Sequence, residues 1–107
     1  MNSPTAKFSI ATVLTVATGV TLGRVTFSDI FNLISHMIQN SKEQVVFPWP
    51  SDEVLTEVKD HLLDQFPWIN DVAIPPKGSD PEAYYALLGD LSRRHGSQLE
   101  VKAITYA

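Results

Sequence analysis

The side chains able to do chemistry are few. Three histidines, His36, His61 and His95, lie far apart in the chain, and none sits in a catalytic or metal-binding signature. Glu57, His61 and Asp64 are spaced four and three residues apart, so on a helix all three reach toward one surface spot. Carboxylate and imidazole ligate zinc and other divalent ions, which makes a small metal-dependent enzyme one alternative; a working site needs further ligands and partners that orient them. There is no cysteine, which removes thiol nucleophiles, disulfides and cysteine-based metal centres. No GxSxG, GxxxxGK[ST] or GxGxxG motif occurs, so nucleophile elbows and phosphate-cradling loops are missing as well. The residues assign no catalytic group, no cofactor and no metal.

Charge and aromatic content carry more. Residues 43–90 hold ten acids against Lys59 and Lys77, a net −8, while the remainder holds six cations against two acids, a net +4. Within the acidic stretch, Glu53, Glu57, Asp60 and Asp64 recur at helical spacing and stack on one face. Such a ridge suits a basic partner surface and repels a phosphate backbone, so direct nucleic-acid binding is not expected. The paired arginines Arg93 and Arg94 answer a helix dipole better than a phosphate. FPWP (47–50) and FPWI (66–69) set Trp49 and Trp68 beside prolines, where rigid aromatic rings serve as interface anchors or as caps on the core. Glu53, Glu57, Asp60, Asp64, Trp49 and Trp68 are therefore the candidate partner-binding residues.

Several elements position these groups. Residues 51–66 predict the clearest helix, capped by Ser51, with Asp52 and Glu53 in its first turn and Val54, Leu55, Val58, Leu62 and Phe66 facing inward. Pro67 stops it or opens a short turn. Residues 26–40 predict a second, strongly buried helix, opened by a Thr26–Asp29 capping box, with Ser28 as a second candidate cap, and stopped at Asn40. Residues 81–95 predict a third, with Ser79 and Glu82 as a capping pair, Pro81 in the first turn, Gly96 as the stop, and Tyr84, Tyr85, Leu87, Leu88 and Leu91 as its apolar side.

The uncharged run 8–22, FSIATVLTVATGVTL, resembles a secretion signal in having Lys7 before an apolar stretch, and a secreted or anchored protein is a further alternative. It is too short for a membrane span. Ile10, Val13, Leu14 and Ala17 share a helical face, Ser9 can cap it and Gly19 can end it, while six β-branched residues among 9–18 favour a strand; the expectation is a short helix, with Phe8 in an extended piece before it. The tail QLEVKAITYA alternates and predicts a strand with Leu99, Val101 and Ala103 inward. Its partner is sought among Phe8–Ile10, Val20–Leu22 and Val45–Phe47. The 107 residues thus predict one α+β domain, in which about four helices pack with a sheet of two or three strands that includes the C-terminal strand.

FSIATVLTVATGVTL, the ISHMI that ends the second helix, QFPWI and SRRHGSQLEVKAI together resemble a family of small bacteriophage-encoded proteins with no assigned activity; SKEQVVFPWP at 41–50 departs from that pattern. The resemblance implies an accessory protein of the host cytoplasm, acting by protein–protein binding on a host or phage protein. A defence system such as CRISPR–Cas, met through a basic nucleic-acid-binding surface, is the kind of target it implies. No membrane partner is implied, and oligomeric state stays open.

Overall fold

A computed structural model describes residues 5–20, 25–39, 52–76 and 78–104. At its centre lies helix α1 (Ile10–Thr18), which touches every other helix and both strands. With Phe8 and Ser9 in the strand before it, residues 10–18 of the uncharged run thus form the central helix. Its β-branched residues do not force a strand, because its hydroxyls find partners inside the helix. The Ser9 hydroxyl accepts from the Thr12 N–H at 3.2 Å and bonds the Thr12 hydroxyl at 2.8 Å. Thr18 Oγ1 donates to the Leu14 carbonyl at 2.6 Å. Thr12 is therefore buried at little polar cost beside Val13 and Leu14. Gly19 ends the helix at φ 76°, in the left-handed region open to glycine.

Strand β1 (Thr5–Ser9) precedes α1 and pairs antiparallel with β2 (Gln98–Lys102), with Phe8 opposite Leu99. The tail's partner thus overlaps the first sequence candidate at Phe8 and Ser9 but runs back to Thr5, while Ile10 opens α1; residues 21 and 22 of the second candidate and all of Val45–Phe47 lie outside the described residues. Leu99 and Val101 point into the core and Gln98, Glu100 and Lys102 to solvent, as the alternation requires.

Helix α2 (Phe27–Met37) opens on the expected capping box: Asp29 N–H donates to Thr26 Oγ1 at 3.1 Å, and Thr26 N–H donates to Asp29 Oδ2 at 3.0 Å. It buries Leu33, Ile34 and Met37. It stops three residues short of Asn40, which lies outside the described residues. Past β2 the chain turns onto this helix end, and the Ile104 N–H satisfies the Met37 carbonyl at 2.8 Å.

Helix α3 (Asp52–Gln65) packs on α1 through Val58 and Leu62, with Val54, Leu55 and Phe66 partly buried at the margin. The Ser51 cap lies outside the described residues. Pro67 does end the helix, and a 3-10 turn over Pro67–Asp71 follows, burying Ile69. Helix α4 (Pro81–His95) closes the structure. Two expectations for it need correction. The Ser79–Glu82 capping pair does not form: the cap position falls on Asp80, held extended (φ −59°, ψ 143°) by the proline that follows, and its side chain makes no capping bond. Tyr85 is not on the apolar side, since it stands 51% exposed while Leu91 is buried and Tyr84, Leu87 and Leu88 pack against the core. Tyr84 instead pins the proline loop, donating to the Pro76 carbonyl at 2.9 Å. Among the described residues the architecture is a small α+β domain of four helices and a two-stranded antiparallel sheet that includes the C-terminal strand.

Candidate functional site

Helix α3 runs unbroken through the acidic stripe, so Glu53, Glu57, Asp60 and Asp64 follow one another on a single face opposite Val58 and Leu62. With a rise of 1.5 Å per residue the stripe is roughly 16 Å long. Glu53, Asp60 and Asp64 are exposed and Glu57 is half-buried. Asp52, Glu53, Thr56, Glu57, Asp60 and His61 line an open hollow on this face. Among the described residues the ion pairs are those of Asp90 with Arg93 (3.8 Å) and Arg94 (3.3 Å), so none of the α3 acids is neutralised by a salt bridge there. The same pairs account for Arg93 and Arg94, which turn back onto their own helix.

Of the two candidate tryptophans, the one within the described residues, Trp68, does not extend this face. Trp49 lies outside the described residues. Trp68 is carried by the 3-10 turn and is half-buried; it stacks flat on His95 (centroids 3.8 Å apart, planes 5° from parallel) and meets Phe66 edge-on at 6.4 Å. It lines a second hollow, with Asp71, Val72, Leu87, Asp90, Leu91 and Arg94 among its walls and none of the four stripe acids. Trp68 caps the core at the end of α3 and braces α4, the role the sequence left open beside that of anchor.

Each histidine has a place. His61 borders the acidic hollow. His36 is a structural tie: its Nε2 donates to the Val101 carbonyl at 2.9 Å, its Nδ1 accepts from Gln39 at 3.0 Å, and its ring leans on Phe8. His95 covers Trp68. Among the described residues no three His, Asp or Glu side chains converge to hold a metal ion, and that includes Glu57, His61 and Asp64.

Two features escape sequence reading. Gln65, the last residue of α3, bonds the backbone of β2, a contact between residues too far apart in sequence to show a pattern. Lys59 projects away from the acids to border an apolar groove of about 360 Å³ walled by Val16, Ile30, Ile34 and Leu55 from α1, α2 and α3. Its position three and four residues from Thr56 and Leu55 was the available signal.

No helix among the described residues is long and apolar enough to cross a membrane. Comparison with protein-family models, curated proteins and solved structures gave no match, so the reading below rests on the geometry of the chain and on the resemblance drawn from its motifs.

Proposed function

We propose that this protein is a non-enzymatic binding module whose acidic α3 face docks on a basic surface of a partner protein. One observation carries the reading: four carboxylates are aligned on one side of a continuous helix with no salt bridge to spend them on among the described residues. Such a ridge attracts a field of the opposite sign and repels like-charged competitors, which confers on-rate and selectivity. Taken with the bacteriophage resemblance, the proposed partner is a host protein, and a nucleic-acid channel of a defence nuclease complex is the surface such a ridge would occupy in place of phosphates.

The test is capture from host lysate with the wild-type chain and with a variant carrying Glu53→Lys, Glu57→Lys, Asp60→Lys and Asp64→Lys, checked for folding by circular dichroism. A specific partner retained by the wild type, released as salt rises and lost by the variant supports the reading. Undiminished capture by the variant overturns the assigned face.

A further inference from the structure

The face of α4 turned away from the core has no partner within the described chain, yet it is composed as if it had one. Glu82, Tyr85, Ala86, Gly89 and Arg93 share it, opposite Tyr84, Leu87, Leu88 and Leu91, and all five are exposed. Two observations single it out. Tyr85 is one of two large apolar side chains left exposed among the described residues. Gly89 sits mid-helix, where glycine is a poor choice, and nothing among the described residues requires it: a Cβ there would meet none of their atoms within 4 Å, and its φ is not positive. Close approach of another backbone is a use for a helical glycine that these facts leave standing.

Charge identifies the occupant. Glu82 stands near the N-terminal end of this face and Arg93 near its C-terminal end. Two copies of α4 laid antiparallel about a two-fold axis at mid-helix bring Glu82 of each copy against Arg93 of the other, at both ends at once. The same register places Ala86 against Gly89 at the centre, where small residues let the helices approach, and lays each Tyr85 beside the other copy's Gly89. Parallel pairing would set Glu82 on Glu82 and Arg93 on Arg93. The Arg93–Asp90 contact, at 3.8 Å and exposed, leaves Arg93 free to turn outward.

We propose that α4 is a self-association face and that the chain forms a two-fold dimer through antiparallel α4 helices. One helix face buries less than the 1,200–2,000 Å² or so of a standard stable interface, so the dimer is weak and concentration-dependent. The acidic α3 face takes no part in it.

Sedimentation equilibrium of the full chain from micromolar to about millimolar concentration tests this. The wild type should dimerise over that range. Glu82→Arg and Arg93→Glu should each weaken dimerisation by about tenfold or more, because each change puts like charges together at both ends. The double variant, Glu82→Arg with Arg93→Glu, restores both pairs in reverse and should return the dissociation constant to near the wild-type value. Gly89→Leu should abolish dimerisation while circular dichroism shows the helices intact. A wild type that stays monomeric throughout, single variants that dimerise as well as the wild type, or a double variant no better than the singles would each overturn the proposal.

Discussion

The side-chain amide of Gln65 bonds both backbone polar groups of Lys102: the Lys102 N–H donates to Gln65 Oε1 at 2.8 Å, and Gln65 Nε2 donates to the Lys102 carbonyl at 2.9 Å. One amide thereby does for β2 what a neighbouring strand would do, and it fastens the end of α3 to the sheet. Replacing Gln65 with Ala should cost about 1–3 kcal/mol, since two backbone groups lose their partner together. Gln65→Glu keeps an acceptor for the N–H but sets a carboxylate against the carbonyl, so it should recover little of that loss. Urea unfolding of the three proteins, with amide exchange followed at Lys102, is the measurement. Equal stability of the wild type and Gln65→Ala would show the bonds to be replaceable by water.

The flat stack of His95 on Trp68 joins the last turn of α4 to the 3-10 turn after α3. His95→Ala should uncover one face of the indole and cost about 0.5–1.5 kcal/mol, the range of an aromatic pair. Trp68 emission should shift to longer wavelength. The experiment is cleanest with Trp49→Phe in the background, which leaves Trp68 as the sole tryptophan. An unchanged emission maximum would mean that the stack does not shield the ring in solution.

The extent to which sequence revealed this fold follows the range of the forces involved. The Ser9 cap, the Thr26–Asp29 box and the Gly19 stop are contacts within a few residues, and each stands where spacing placed it. The alternation of Leu99 and Val101 announced β2, because one buried face of a strand leaves a period of two. The capping pair at Ser79 failed for a local reason as well: Pro81 fixes where α4 begins and moves the cap to Asp80. Tyr85 departs from the expected apolar side because aromatic character alone does not fix burial, and its angle around α4 points it outward. The acidic stripe was legible as helical spacing. Trp68's separation from it was not, since the turn after Pro67 redirects the chain. Gln65 and His36 act across long stretches of sequence, on Lys102 and Val101, and no local pattern encodes such pairs.

The capping box at Thr26 holds the start of α2 through two reciprocal bonds. Thr26→Ala and Asp29→Ala should each cost about 0.5–2 kcal/mol. Because the two residues act as one unit, the double variant should fall short of the sum of the singles. Thermal unfolding of the four proteins completes the cycle. Strict additivity would show that the two bonds form independently of each other.

Two glycines of α4 should respond to alanine with opposite signs. Gly89 lies within the helix with open space where a Cβ would go, so Gly89→Ala exchanges a flexible residue for the best helix former at no steric cost. The monomer should gain about 0.5–1 kcal/mol, measured at low micromolar concentration where self-association makes no contribution. Gly96 caps the same helix at φ 93° and ψ 155°, a region that is nearly closed to residues with a side chain, and a Cβ there would lie 3.5 Å from the Gln98 carbonyl. Gly96→Ala should cost about 1–3 kcal/mol through backbone strain, and because Ser97 and Gln98 lead straight into β2, the loss should extend to amide protection along Leu99 and Val101. If both variants shifted unfolding in the same direction, either the backbone at Gly96 relaxes freely or the space at Gly89 is filled by something the chain itself does not supply.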